Sequence, residues 1–180
     1  MTSAIPVINP PQTVIQALPP ADWNRLRGRI AYIEEISFAP SIRDDMTTLR
    51  RRAQSPTAIF LVGKLRRTDQ VIAYLAADWL ELFSHIPAVK EDRHFGRGDT
   101  IYIESVAVEP RWRGRGLGMA LQRECLRRAA AAGIGRATAH LRRGVAARIG
   151  LETKILATYE NWYNTGETYD YVEFATISQG

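Results

Sequence analysis

Between residues 22 and 38 apolar side chains fall at Trp23, Leu26, Ile30, Ile33 and Ile36, the three- and four-residue spacing of a helix buried along one stripe. Pro19 and Pro20 precede this run and Pro40 follows it, so the predicted helix is bounded by residues that do not continue one. A second, shorter helix is predicted within 41–54, stopped at Ser55 and Pro56. The period then drops to that of strands. Residues 57–65 and 70–80 are β-rich runs separated by Arg66, Arg67, Thr68 and Asp69, a polar turn that suits a hairpin. Residues 82–99 show no clear period and contain Pro87, Gly96 and Gly98; loops of that length in compact domains are more often functional than idle.

The pattern resumes at 100–108 with a strand of β-branched character, followed by a short stretch dominated by glycine and arginine. A helix over Gly116–Ala132, ending at Gly133, comes next, then a strand at Arg136–Leu141. Residues 150–163 are read as a further helix and 169–177 as a last strand. Helices and strands in this mixed order imply an α/β domain with both antiparallel hairpins and a parallel crossover. Residues 1–20 hold five of the nine prolines, and so many missing backbone donors argue for an extended arm. Residues 21–180 are then one domain.

Composition narrows the class. At 180 residues, 46% hydrophobic and 24% charged, the chain belongs with ordinary globular domains. No apolar run approaches the ~18 residues of a membrane span, and the opening residues lack the basic and continuous apolar regions of a secretory signal. A cytoplasmic location is the expectation. Cys125, the only cysteine, excludes an internal disulfide. It recurs with Leu117, Leu121 and Ala129 at steps of four, as a small buried thiol does. His85, His94 and His140 share no metal-ligand spacing, so no metal is expected. A net charge of +5 leaves nucleic acid open as a partner. Arginine pairs without interleaved aromatics fit solvated helix faces and one polyphosphate ligand better.

The stretch from Ile103 to Gly118 carries the chemistry. Between a strand end and a helix start stand Arg111, Arg113, Arg115, Gly114, Gly116 and Gly118, where unpaired amides and the helix dipole together favour an anion. Glycine lets the main chain turn tightly and approach a diphosphate. No Lys-Ser/Thr pair follows, so a Walker loop is unmet, and Gly-x-Gly-x-x-Gly is unmet as well. Arg/Gln-x-x-Gly-x-Gly/Ala is satisfied by Arg113 through Gly118.

Val106-Ala-Val108, Pro110, Trp112-Arg-Gly114 and Gly116-Leu-Gly118 together resemble the acetyl-coenzyme A signature of the GNAT acetyltransferase family, and the order of elements agrees over about residues 20–175. The resemblance implies the GNAT fold, a mixed and mostly antiparallel central sheet with a splayed pair of parallel strands and about four flanking helices. It also implies acetyl-coenzyme A as co-substrate, with no metal. Val106, Ala107 and Val108 would hydrogen-bond the pantetheine arm through their backbone. The amides from Arg113 through Met119, including Leu117, would hold the pyrophosphate, with charge added by Arg111, Arg113 and Arg115. The Val108 or Ala107 amide would polarise the thioester carbonyl.

Amine acylation also needs a base and an acid. Glu104, two and four residues before Val106 and Val108, is expected on their side of the pleat and is the base candidate; a solvated or ion-paired strand carboxylate is the alternative. For the acid, family resemblance favours a tyrosine early in the last helix, which here points to Tyr159, with Tyr163 second. An interfacial aromatic is the alternative. Residues 161–171 replace the family's usual Gly-Phe, and the asparagine that commonly precedes the helix has no counterpart.

The acceptor-recognising segments of the family correspond to 37–43, 82–99 and 161–172. They and their neighbours hold Phe38, Phe83, Phe95, Trp162, Tyr169 and Tyr171 together with Asp78, Glu81, Asp170 and Glu173, a lining that would suit a cationic amine. The resemblance implies a small-molecule or peptide amine as acceptor. An aminoacyl-tRNA or protein amine, a non-catalytic acyl-coenzyme A module and a homodimer stay open.

Overall fold

The computed structural model describes residues 12–148 and 151–177. Helix α1 spans Trp23–Ser37 and buries Trp23, Leu26, Ile30 and Ile33, the stripe read from the spacing. Helix α2 is shorter than expected, at Met46–Gln54, because Asp45 caps it by accepting a hydrogen bond from the Thr48 amide at 2.7 Å. A carboxylate there satisfies one of the first-turn donors and suits the helix dipole. The third helix, α3, covers Leu117–Ala131.

Seven strands form one sheet: β1 (Thr13–Ala17), β2 (Ile59–Leu65), β3 (Val71–Trp79), β4 (Thr100–Val108), β5 (Arg136–Arg142), β6 (Thr153–Tyr159) and β7 (Tyr169–Ala175). Their order is β1-β2-β3-β4-β5-β7-β6. Only β4 and β5 pair in parallel; the other neighbours are antiparallel. Helix α3 packs on one face, where Leu117, Leu121, Cys125, Leu126 and Ala129 meet Leu61, Ile72, Leu75, Ile101 and Ile103. On the opposite face Trp23, Ile30, Ile33 and Leu49 of α1 and α2 cover Phe60, Val62, Tyr74 and Ala107. Cys125 lies wholly in the α3 core, where burial pushes its thiol up to about 12, as befits an inert packing residue.

Two elements differ from the sequence reading. Residues 13–17, expected in an arm without regular structure, form β1 and pair with β2 from Thr13↔Leu65 to Ala17↔Leu61; residues 1–11 of that arm lie outside those described. The prolines bound this strand rather than interrupt it, and at the sheet edge a strand needs partners on one side only. Residues 153–159, expected in a fourth helix, are β6. Their Leu and Ala are good helix formers, but β7 offers an open ladder and Ile155, Thr153 and Thr158 suit it, so tertiary pairing overrides a weak local preference. Three α-helices therefore flank the sheet among the described residues.

The long segment 82–99 is fixed over the β4, β5 and β7 surface. Arg136 pairs with both oxygens of Asp92, at 3.0 and 2.9 Å, and with Glu173 at 2.6 Å. Tyr171 donates to Asp92 at 2.7 Å. Phe83 and Val89 complete a small core with Leu80 and Tyr102. Glu173 and Asp170 are thus engaged within the fold, the latter accepting from Thr158 at 2.6 Å. Asp78 likewise accepts from Ser55 and Thr57, and Glu81 from the Gly96 and Gly98 amides. Burial without a cavity beside it makes Leu121 a direct probe of the α3 face: Leu121→Ala is expected to lower the unfolding free energy by about 2–5 kcal/mol, read as a lower urea midpoint at unchanged slope.

Candidate active site

The site begins where two parallel strands part. β4 and β5 pair only from Thr100↔Arg136 to Ile103↔Ala139. Beyond that, β4 continues on β3 as far as Ala73↔Val108, while β5 follows β7 as far as Arg142↔Tyr169. The β5-facing side of Val106, Ala107 and Val108 therefore has no strand beside it. A cleft of about 780 Å3 opens there, lined by residues 102–108, by Gly118, Met119 and Gln122 of α3, by 139–142 of β5, and by Trp162, Tyr163 and the link between α1 and α2.

At one end of the cleft lies the Gly-Arg turn. Gly114 and Gly116 have φ of 72° and 82°, a left-handed backbone that any other residue adopts only with strain. Gly118 differs: its backbone is right-handed, and an added Cβ would meet Val108 Cγ2 at 3.6 Å and Val106 Cγ1 at 3.8 Å, ordinary contacts. No side chain caps α3, and the first backbone bond into its start runs from the Ala120 amide to Gly116 O. Among the described residues, none of the amides from Gly114 through Met119 has a protein acceptor. The Arg113 amide, expected in the same set, is instead paired with Pro110 O at 3.2 Å, because a 3-10 turn at Pro110–Trp112 leads into the bend. Six consecutive open amides at a helix N-terminus are the kind of arrangement that suits an anion.

The three arginines diverge. Arg113 turns back, donating to Val108 O at 2.8 Å and Ser37 Oγ at 3.2 Å. Arg111 pairs with Glu109, which also holds Arg29 of α1. Arg115 makes no hydrogen bond or ion pair among the described residues; its guanidinium stands 5.0 Å from the Trp112 ring centre. Leu117 sends its side chain into the core and adds only its amide to the open set at the turn.

Glu104 is not on the face of Val106 and Val108. β4 carries a bulge there, since Ala76 pairs with Ser105 and Ala77 with Ile103, leaving Glu104 unpaired between them. One extra residue reverses the alternation: Val106 and Val108 pack toward α3, while Glu104 turns to α2 and meets Arg52. Arg52 also approaches Asp44 at 3.6 Å. Glu34, below, accepts from Tyr74 and from the Asp44 amide. One oxygen of Glu104 has no partner. Burial, opposed by Arg52 and reinforced by Asp44, pushes the Glu104 carboxyl up to about 8.

The two tyrosines separate. Tyr159 closes β6 and lines a second cavity of about 420 Å3 beside Glu91 and Arg93, meeting the His140 and Trp162 rings at 5.7 and 5.4 Å but not lining the main cleft itself; the expected helical setting is absent because the segment is a strand. Tyr163 lines the main cleft from a turn in which Asn161, Tyr163 and Asn164 have φ of 49°, 44° and 60°. Three non-glycine residues in the left-handed region are strained, and at Tyr163 the strain delivers the phenol to the cleft. Burial raises that phenol above its ordinary value.

His140 and Tyr102 were not singled out by sequence. Tyr102 Oη lies 3.0 Å from His140 Nδ1, and the imidazole is stacked between Trp162 and Tyr171 at 4.3 and 4.7 Å. Burial lowers His140 to about 3, so the ring is neutral, and its Nε2 is a buried atom without a partner. Both residues line the cleft. No sequence signal marked them, since both strands carry other polar residues, Thr100, Glu104 and Ser105 in β4 and Arg136, Thr138 and Arg142 in β5. The acids of the cleft are Asp44, Glu104 and Glu167, and not Asp78, Glu81, Asp170 or Glu173.

Residues 29–154 match the model of the acetyltransferase (GNAT) family. The chain belongs to that family. Among solved structures it resembles the ribosomal-protein-S18-alanine N-acetyltransferase of Escherichia coli, at 15% identity and TM-score 0.68 over 93% of this chain and 96% of that one. It resembles Arabidopsis thaliana NAA60 in complex with a bisubstrate analogue, at 15% identity and TM-score 0.66 over 93% and 99%. A third is yncA of Salmonella typhimurium with acetyl-coenzyme A, at 14% identity and TM-score 0.64 over 93% and 96%. At these identities the likeness is one of fold, and the mixed sheet with its parted parallel pair is the GNAT fold. No curated protein matches the sequence. No helix among the described residues is long and apolar enough to cross a membrane.

The left-handed backbone separates the glycines of this GNAT-family chain: Gly116→Ala is expected to cost about 1–2 kcal/mol of stability, and Gly118→Ala within about 0.5 kcal/mol of nothing. Thermal unfolding of the two variants side by side checks the difference.

Proposed function

We propose that this protein is an N-acetyltransferase that moves the acetyl group of acetyl-coenzyme A to a primary amine by direct attack on the thioester. The observation that carries the reading is the run of open amides from Gly114 to Met119 at one end of a cleft that holds an unpaired carboxylate oxygen farther in. The first feature suits a diphosphate. The second suits an amine that must lose a proton.

The diphosphate would rest on the amides of Gly114, Arg115, Gly116, Leu117, Gly118 and Met119, with the unpaired charge of Arg115 beside it. Arg111 and Arg113 would brace the bend, through Glu109 and Ser37, rather than touch phosphate. The pantetheine arm would lie against the open side of Val106, Ala107 and Val108, adding a pseudo-strand where β5 has departed. An amide of that stretch would hydrogen-bond the thioester oxygen and stabilise the negative charge that develops on it.

Glu104 is the base. General-base catalysis is most effective when the pKa lies near the working pH, and a carboxyl raised to about 8 meets that condition. His140, lowered to about 3, is a poor proton acceptor and would serve as a neutral hydrogen-bonding group for the acceptor. The amine nitrogen attacks the carbonyl carbon and its proton passes to Glu104 directly or through water. The carbon–sulfur bond then breaks, and the thiolate takes a proton from Tyr163, which burial keeps protonated. Tyr163 replaces Tyr159 in this role because it alone of the two lines the cleft.

Peptide and protein amines are the favoured acceptors, since the names of the similar proteins include a ribosomal-protein-alanine acetyltransferase and the cleft is open beside a neutral imidazole and stacked aromatics able to receive a peptide chain. Release of coenzyme A from acetyl-coenzyme A, measured with a panel of peptides and small primary amines, tests the assignment; tight binding without release for every amine would overturn it.

Because the ionised form of Glu104 is the active one, kcat/KM should rise with pH and level off above about 8. Glu104→Gln should lower kcat by about 10²–10⁴ and abolish that inflection. Tyr163→Phe should lower kcat by about tenfold or more with little change in coenzyme A affinity, measured by steady-state kinetics alongside calorimetric titration; an unchanged kcat would remove the phenol from the mechanism.

A further inference from the structure

Helix α3 presents an apolar stripe to the sheet, and one polar residue interrupts it. Gln122 is 5% exposed, between Leu121 and the Cys125–Leu126 pair, which are fully buried. It stands one helical turn beyond Gly118 and lines the cleft together with Gly118 and Met119. Its amide nitrogen donates to Gly118 O at 3.3 Å, which orients the other end of the carboxamide. That end, Oε1, is buried and has no partner among the described residues.

An unsatisfied buried acceptor costs about 1–3 kcal/mol, and a leucine of similar volume would fill the position without that penalty. The neighbouring stripe shows that apolar side chains fit this helix face. A polar group held there, aimed by its own helix and left without a donor, is accounted for by a ligand donor that arrives later. The cleft beside it is the path from the diphosphate amides to Glu104. One turn of helix separates Gly118 from Gln122, about 6 Å along the axis, the span of the few bonds between the diphosphate of coenzyme A and its first amide.

We infer that Gln122 holds the pantetheine arm of acetyl-coenzyme A by accepting a hydrogen bond from one of its amide N–H groups, opposite the β4 edge. This rests on the acetyl-coenzyme A reading above. The two walls then divide the work: main-chain groups of Val106 to Val108 pair one side of the arm, and a single carboxamide fixes its register from the α3 side. Register along the arm determines where the thioester stops relative to Glu104.

Calorimetric titration with two ligands tests the assignment: coenzyme A, and 3′-phospho-ADP, which carries the diphosphate and lacks the pantetheine arm. Gln122→Leu is expected to weaken coenzyme A about tenfold and to leave 3′-phospho-ADP within about twofold of the wild type, a split that damage to the phosphate turn would not produce. Gln122→Met, which keeps the length and loses the carboxamide, should give the same split and serves if the leucine variant does not fold. Equal weakening of both ligands, or no weakening of either, overturns the inference while the acetyl-coenzyme A reading stands. If the wild type binds neither ligand, both readings fall together.

Discussion

Parallel pairing of β4 with β5 stops after four residue pairs, and the rest of the site depends on that limit. Had the ladder continued, the backbone groups of Val106 to Val108 would be satisfied within the sheet and the cleft would not exist. Each strand keeps a partner on its other side, β3 for β4 and β7 for β5, so the divergence leaves both strands held. An open edge inside a sheet, shielded by helices on either face, is a place where an extended ligand can complete the ladder without the aggregation hazard of an outer edge.

The bulge at Glu104 gives that cleft two chemically distinct walls. Before and after it the strand alternates normally, but the extra residue sends Glu104 to the α2 side while Val106 and Val108 stay on the α3 side. On the proposed reading, the backbone that would pair the cofactor and the carboxylate that would take the proton come from one short segment without competing for the same space. The carboxylates of the site show how environment assigns roles. Glu109 is clasped by Arg29 and Arg111 and anchors the Gly-Arg bend to α1 and to itself. Glu104 shares one guanidinium with Asp44 and keeps an oxygen free, which suits proton transfer.

Among the described residues, buried polar atoms without partners are few, and several of them, on Glu104, Gln122, His140 and Arg43, belong to residues lining the main cleft. Their concentration there has a physical meaning, because an unmet buried hydrogen bond is destabilising unless something else meets it. The strained turn at Asn161 to Asn164 lies over the same cleft. Strain and unmet polarity coincide where a ligand would relieve them.

Much of this was written in local sequence. Helical spacing fixed α1 and α3, β-branched runs fixed β2 to β5 and β7, and the glycine–arginine stretch located the turn of open amides before α3, because these features depend on residues close together in the chain. Tertiary structure decided what depends on distant partners. Residues 153–159 became a strand because β7 offered them an edge, and residues 13–17 joined the sheet because β2 did. A single unpaired residue between Ser105 and Ile103 reversed the face of Glu104, and no local pattern marks a bulge whose cause lies in β3. His140 and Tyr102 meet at 3.0 Å from positions 38 residues apart, and Gln122 acquires its meaning from a cleft wall built by another strand. Periodicity records which side of an element is buried; which unpaired groups then face one another is set by packing between elements, and the cleft of this GNAT-family chain is built from groups of that second kind.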